Sequence, residues 1–202
     1  MKNTGKELEE IVFEAVENLV KNNQFVVANP HVRIFRQKGY YSKEREDSIK
    51  ADVSVEKYLT DPDTDEAAAP VLLIILECKD WEKPVSVGAV EEFHAKLQQI
   101  GADNTKGILI TRAAPFQKAA VRYAMSKGIG LARILPDSQV QYILYDRLPG
   151  RFGSMFMNRE AESMLALTKK DYVSYECRAV FCLGGQESIE DYVSSYFEPC
   201  IS

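Results

Sequence analysis

The run Val71-Leu72-Leu73-Ile74-Ile75-Leu76-Glu77-Cys78-Lys79-Asp80-Trp81 places six apolar residues in a row ahead of an acid and a base. Such an unbroken aliphatic run, bounded by polar residues, reads as a strand buried on both faces. Side chains two apart on a strand share a face, so Glu77 and Lys79 point one way and Cys78 the other. Two readings follow from these residues alone. In one, the strand reaches solvent and ends in a surface ion pair worth at most about 1 kcal/mol. In the other, an acid and a base are held together at the strand end for chemistry.

Upstream, the acidic loop Asp61-Pro62-Asp63-Thr64-Asp65-Glu66 separates this strand from a segment at 49–59. There Ala51, Val53 and Val55 alternate with Asp52, Ser54 and Glu56, which predicts one strand with a polar face carrying Asp52. Shorter strands are expected at 24–28 and 31–37. Residues 4–22 read as an amphipathic helix opened by a Thr4/Glu7 capping box and stopped by Asn22-Asn23. Its apolar stripe holds Leu8, Ile11, Val12, Ala15, Val16, Leu19 and Val20. Glu7, Glu10, Glu14 and Glu17 fall outside the stripe, but Glu9 falls inside it, between Val16 and Val20. Glu9 therefore either meets a cation, a metal or a hydrogen-bond donor, or sits at the edge of the stripe and reaches water.

Downstream, a helix is expected at 87–100, with Val87, Val90, Phe93, Leu97 and Ile100 on one face. A buried strand at 106–111, a helix at 115–127 closed by Gly128, and a last strand at 129–135 follow. This order of helices and strands predicts an α/β fold, a central mixed sheet flanked by helices. Pro136-Asp137-Ser138 marks a boundary, giving domains at 1–136 and 137–202. The second is a small α+β C-terminal extension with strands at 139–146 and 172–183 and helices at 158–167 and 187–197. It carries no recognisable chemical motif.

The 202 residues, 46% hydrophobic and 27% charged, suffice for a packed core without staples. No apolar run spans a membrane and the start is polar, so a cytoplasmic protein is expected. Cys78, Cys177, Cys182 and Cys200, with His31 and His94, have no metal-ligand spacing. Zinc and Ser-His or Cys-His chemistry are therefore disfavoured. The net charge of −5 argues weakly against a nucleic-acid coat protein, yet 31–50 carries six Lys/Arg against three acids. Arg33, Arg36, Lys38, Lys43 and Arg45, with Tyr40-Tyr41 between them, read equally as a DNA-backbone track or as a solvated strand edge. His94 reads as a satisfied core or boundary histidine, and Trp81 as a packing residue.

Two or three carboxylates beside one lysine suit phosphodiester hydrolysis. Mg²⁺ takes a couple of carboxylates and keeps its waters, and a lysine within reach orients the attacking one. Asp52 followed by Glu77-Cys78-Lys79 resembles the D…(D/E)xK signature of the PD-(D/E)xK nuclease superfamily. Several further motifs follow in order: Gly5-Lys6-Glu7-Leu8-Glu9-Glu10, Val85-Ser86-Val87, Ala89-Val90-Glu91-Glu92-Phe93 and Gly101-Ala102-Asp103. Gly107-Ile108-Leu109-Ile110-Thr111, Phe116-Gln117-Lys118-Ala119-Ala120 and Gly128-Ile129-Gly130-Leu131 complete the series. Together, across about 4–135, they resemble the Mrr-like restriction endonucleases.

The resemblance implies a restriction-endonuclease-like core and a Mg²⁺-dependent cut in DNA, with Mn²⁺ able to substitute. It implies that Asp52 and Glu77 hold the metal, Glu9 completes the acidic cluster, and Lys79 serves the attacking water. The chain departs from many relatives in two places. Glu46-Asp47-Ser48-Ile49-Lys50-Ala51 stands where they are glycine-rich, and Glu77 stands where they carry Gln. Cutting two strands calls for two sites, so a homodimer or partner subunit is expected beside DNA. The rival readings are a non-catalytic nucleic-acid-binding or assembly module on the same fold, and a DNA-repair or junction-resolving nuclease.

Overall fold

The computed structural model describes residues 5–21, 31–65, 67–112, 114–134 and 164–170. The expected elements at 24–28, 139–146, 172–183 and 187–197 lie outside these residues, as does Thr4 of the capping box. Helix α1 spans Lys6–Lys21, with Glu7 and Glu9 in its first turn and Lys21 in its last, the charge order its dipole favours. Then come strands β1 (Val32–Arg36), β2 (Gly39–Ser42), β3 (Asp47–Lys50), β4 (Val53–Lys57) and β5 (Leu72–Lys79). Helix α2 (Val87–Gly101), strand β6 (Thr105–Thr111), helix α3 (Lys118–Lys127) and strand β7 (Gly130–Arg133) complete the order.

Five strands form one sheet in the order β1-β4-β5-β6-β7. The β1–β4 and β4–β5 pairs are antiparallel; β5–β6 and β6–β7 are parallel. This is the mixed sheet flanked by helices that the element order predicts. Alternate residues of each central strand serve different layers. Ile74, Leu76, Ile108, Ile110 and Ala132 pack with Leu8, Val12 and Val16 of α1. Leu73, Ile75, Leu109 and Leu131 pack with α2 and α3 through Phe93, Leu97, Val121 and Ala124. Both faces are covered, which is why β5 is an unbroken apolar run. A Cβ on Gly107 would lie 2.3 Å from Leu97 Cδ1 and 2.9 Å from Phe93 Cε1, so glycine lets α2 lie this close to β6.

Two expected elements are corrected. The strand at 49–59 is two strands: β3 pairs with β2 in a separate two-stranded sheet, while β4 joins the main one. Ala51 belongs to the α2 layer and Val53 to the α1 layer, so the alternation changes phase between them. The cause lies opposite, at Gln37, whose φ of 52° turns the hairpin out of the sheet plane. Two backbone bonds cross this kink, Gln37 N–H to Asp52 O at 3.0 Å and Ala51 N–H to Lys38 O at 2.9 Å. The displaced hairpin half covers the polar face of β4, leaving Ser54 and Glu56 buried. Lys38 Nζ lies 2.6 Å and Tyr40 Oη 2.7 Å from Glu56 Oε1, and the Tyr58 hydroxyl donates to Glu56 Oε2.

The helix expected from residue 115 begins at Lys118. The backbone of 115–117 is already committed: Pro115 O accepts from Val85 N–H and Gln117 N–H donates to Val85 O, both at 2.9 Å. Phe116 N–H donates to Leu167 O at 2.7 Å. Gly128, at φ 64°, closes α3 as expected. Residues 166 and 167, assigned from sequence to the extension, lie fully buried in the α2/α3 layer. They lie in helical residues 164–168, the described end of the helix expected at 158–167, which leads to the buried guanidinium of Arg133; it donates to Ala166 O at 2.8 Å, Lys169 O at 2.7 Å and Lys170 O at 3.0 Å.

Candidate active site

The last antiparallel pair between β4 and β5 is Val53 with Leu76. One step further would set Asp52 against Glu77, but the kink at Gln37 releases Asp52 from the ladder. Its side chain takes up the ladder's role, Oδ2 accepting the Cys78 N–H at 2.8 Å. Burial pushes the Asp52 carboxyl above its ordinary range. The Cys78 N–H opposes that shift, Glu77 and Glu9 add to it, and Lys96 draws it back.

Glu77 Oε1 accepts from two ammonium groups, Lys79 Nζ at 2.8 Å and Lys96 Nζ at 2.9 Å. Its Oε2 is buried and accepts no hydrogen bond from the described residues. With the Glu77 side chain only 5% exposed, the surface-ion-pair reading fails. Cys78 faces the α1 layer, as the alternation requires. Burial, then Asp52, Glu9 and Glu77, push its thiol well above the usual range, which disfavours the thiolate. Trp81 is not a packing residue: it is 43% exposed, with Lys79 Nζ 5.4 Å from its ring centroid.

Glu9 meets a hydrogen-bond donor, one of the three partners expected for a carboxylate inside an apolar stripe. The donor is Gln37, whose Nε2 lies 2.6 Å from Glu9 Oε2 and 3.4 Å from Asp52 Oδ1. The structure thus pairs Glu77 with Lys79, fixes Asp52 on the N–H of Cys78 between them, and links Glu9 to Asp52 through one amide. Sequence reasoning missed Gln37 and Lys96. Gln37 left no signal, since its role follows from a left-handed backbone that its residue type does not announce. Lys96 did leave one. At roughly 100° per residue it falls about 20° from Ala89, against the buried face of α2, the same anomaly that singled out Glu9.

Most of the basic stretch is spent on acids. Arg33 pairs with Asp63, Arg36 with Glu10 at 2.5 Å, and Lys38 with Glu56. Lys43 and Arg45 stand exposed in the turn between β2 and β3, beside an exposed Tyr41. His94 is half-buried, its Nδ1 3.0 Å from the Tyr123 hydroxyl, a boundary histidine. Among the described residues no helix is long and apolar enough to cross a membrane.

No three acidic, histidine or cysteine side chains of the described residues already converge as a ligand cage. The donor set nevertheless fits a hard divalent cation. Asp52 and Glu77 offer adjacent carboxylates, and the partnerless Glu77 Oε2 is a buried acceptor that such an ion would satisfy.

A family model described as a restriction endonuclease, Mrr_cat, matches residues 24–134. A crystal structure of a protein of unknown function matches at 16% identity and a TM-score of 0.42, over 63% of this chain and 60% of that one. The chain thus spans less than two thirds of that relative. No curated protein matches it.

Proposed function

Because the chain belongs to the restriction endonuclease family that the Mrr_cat model describes, we propose that it is a metal-dependent DNA endonuclease of restriction or host-defence type, hydrolysing phosphodiester bonds. The observation that carries this reading is Glu77. Its carboxylate is buried beside Asp52, with one oxygen held by lysine ammonium groups and the other without a partner among the described residues. Asp52 and Glu77 are assigned to Mg²⁺ or Mn²⁺, and Glu9 completes the acidic cluster. When bound, such an ion stabilises charge on the phosphoryl oxygens and acidifies a water.

The remaining work falls to the chain's own groups. Lys79 presents ammonium donors at the strand end, steadied by Glu77 Oε1 and the Trp81 ring, and is assigned to orienting the attacking water. The Cys78 N–H fixes Asp52, and Gln37 keeps Glu9 and Asp52 together through a shared donor. DNA is the proposed substrate, with a homodimer or partner subunit for cutting both strands.

The test is incubation of plasmid with the protein in EDTA, Mg²⁺ and Mn²⁺, beside Glu77→Ala and Lys79→Ala variants checked for folding by circular dichroism. Metal-dependent nicking or linearisation, lost in both variants, is expected. Cleavage retained by a folded Lys79→Ala variant refutes the assignment of Lys79. Absence of cleavage on unmodified, methylated and single-stranded DNA by a protein that still binds DNA favours the non-catalytic module.

A further inference from the structure

Lys96 duplicates at Glu77 what Lys79 already provides. The two ammonium groups reach the same oxygen, 2.8 and 2.9 Å away, from different layers of the fold: Lys79 from β5 and Lys96 from α2. One of them suffices to compensate a single buried carboxylate. Their joint effect is to set two positive charges against the three negative ones of Glu9, Asp52 and Glu77. A divalent cation entering beside Glu77 meets both ammonium groups at short range, and in a half-buried site that repulsion is poorly screened. Lys96 is no rigid core lysine, however. Its side chain is 22% exposed, and its long stem lets the head turn to another anion.

We propose that Lys96 is an internal counter-cation that competes with the divalent metal at Glu77 and yields Glu77 when a DNA phosphate enters and takes its ammonium. Metal and DNA then bind with positive coupling, since each removes a cost from the other. This rests on the metal-dependent reading above. It differs from a purely positioning role in sign. A lysine that only oriented Glu77 would strengthen metal binding, whereas a competing one weakens it.

The test is calorimetric titration of Ca²⁺ into the full chain, with and without a short DNA duplex, for the parent, Lys96→Met and Lys96→Arg. Circular dichroism and thermal melts in EDTA serve as folding controls. Without DNA, Lys96→Met is expected to bind Ca²⁺ about tenfold more tightly than the parent, the effect of removing one nearby positive charge. The duplex is expected to raise Ca²⁺ affinity less in that variant than in the parent, and Lys96→Arg is expected to restore the parent's behaviour. Ca²⁺ affinity of a folded Lys96→Met equal to or below the parent's overturns the proposal while leaving metal-dependent cleavage intact. A parent that binds no divalent ion, with or without duplex, overturns this proposal and the metal reading together.

Discussion

Replacing Glu56 by alanine tests whether the hairpin half β2–β3 is clamped to the main sheet by one buried carboxylate. The Glu56 side chain is 2% exposed and takes Lys38, Tyr40 and Tyr58 as donors. Burial, with Glu56 alongside, pushes Tyr58 up to about 12 and raises Tyr40 as well, so both remain donors at neutral pH. The losses are unequal. Tyr40 keeps Ser54 Oγ at 2.7 Å, and Lys38 keeps the Phe35 ring at 3.7 Å while a third of its side chain reaches water. Tyr58, buried, loses its acceptor outright, at a cost of about 1–3 kcal/mol. Adding up to about 1 kcal/mol for the partly exposed ion pair gives about 1–4 kcal/mol. In a chain of this size that lowers the melting midpoint by about 3–12 °C, read by far-UV circular dichroism in EDTA. Lys38→Met is expected to cost at least as much, because it leaves a buried carboxylate, not a hydroxyl, short of a partner. A Glu56→Ala midpoint within about 2 °C of the parent would refute the clamp.

In EDTA the parent's stability carries a term from Asp52 with a definite sign. Its folded value lies above the ordinary 3.8, so the folded chain holds the proton more tightly, and this stabilisation is lost as pH rises through the folded value. Asp52→Asn is expected to flatten that fall and melt higher than the parent at neutral pH; identical pH slopes in thermal melts would contradict this. At Gln37, φ 52° disfavours a β-branched side chain, so Gln37→Val is expected to cost about 1–2 kcal/mol more than Gln37→Gly in urea unfolding. Equal midpoints would remove backbone strain from the account of the kink. A chain ended after Pro136 is expected to lose at least about 3 kcal/mol, through the core vacated by Ala166 and Leu167 and the acceptors taken from Arg133. A melt superposing on the parent's would show that 164–170 is dispensable.

The central architecture was legible because burial writes itself as periodicity. The run at 71–76 and the stripe through Leu8, Val12 and Val16 identify the middle strand and the helix across it, and Glu9 stood out as a charge in the wrong place. The opposed directions of Glu77 and Cys78 followed from strand geometry alone. What could not be read depends on partners distant in sequence. Ser54 and Glu56 look like a solvated face until the chain doubles back over them, and Arg33, Arg36 and Lys38 look like a basic surface until their acids are placed. The phase change after Ala51 originates in the backbone angle of Gln37, which no pattern of hydrophobicity encodes. Lys96 was readable in principle, by the rule already applied to Glu9.

The capture of the 164–170 segment by Arg133 bears on how the chain is made. Its acceptors lie 33, 36 and 37 residues further along. At about 5–20 residues per second, a ribosome needs roughly 2–7 s to add them after Arg133. Until those residues are made, Arg133 lacks its three acceptors and the Phe116 N–H lacks Leu167 O. The edge strand β7 and the layer behind it are therefore completed late, well after Glu9, Asp52 and Glu77 have been made.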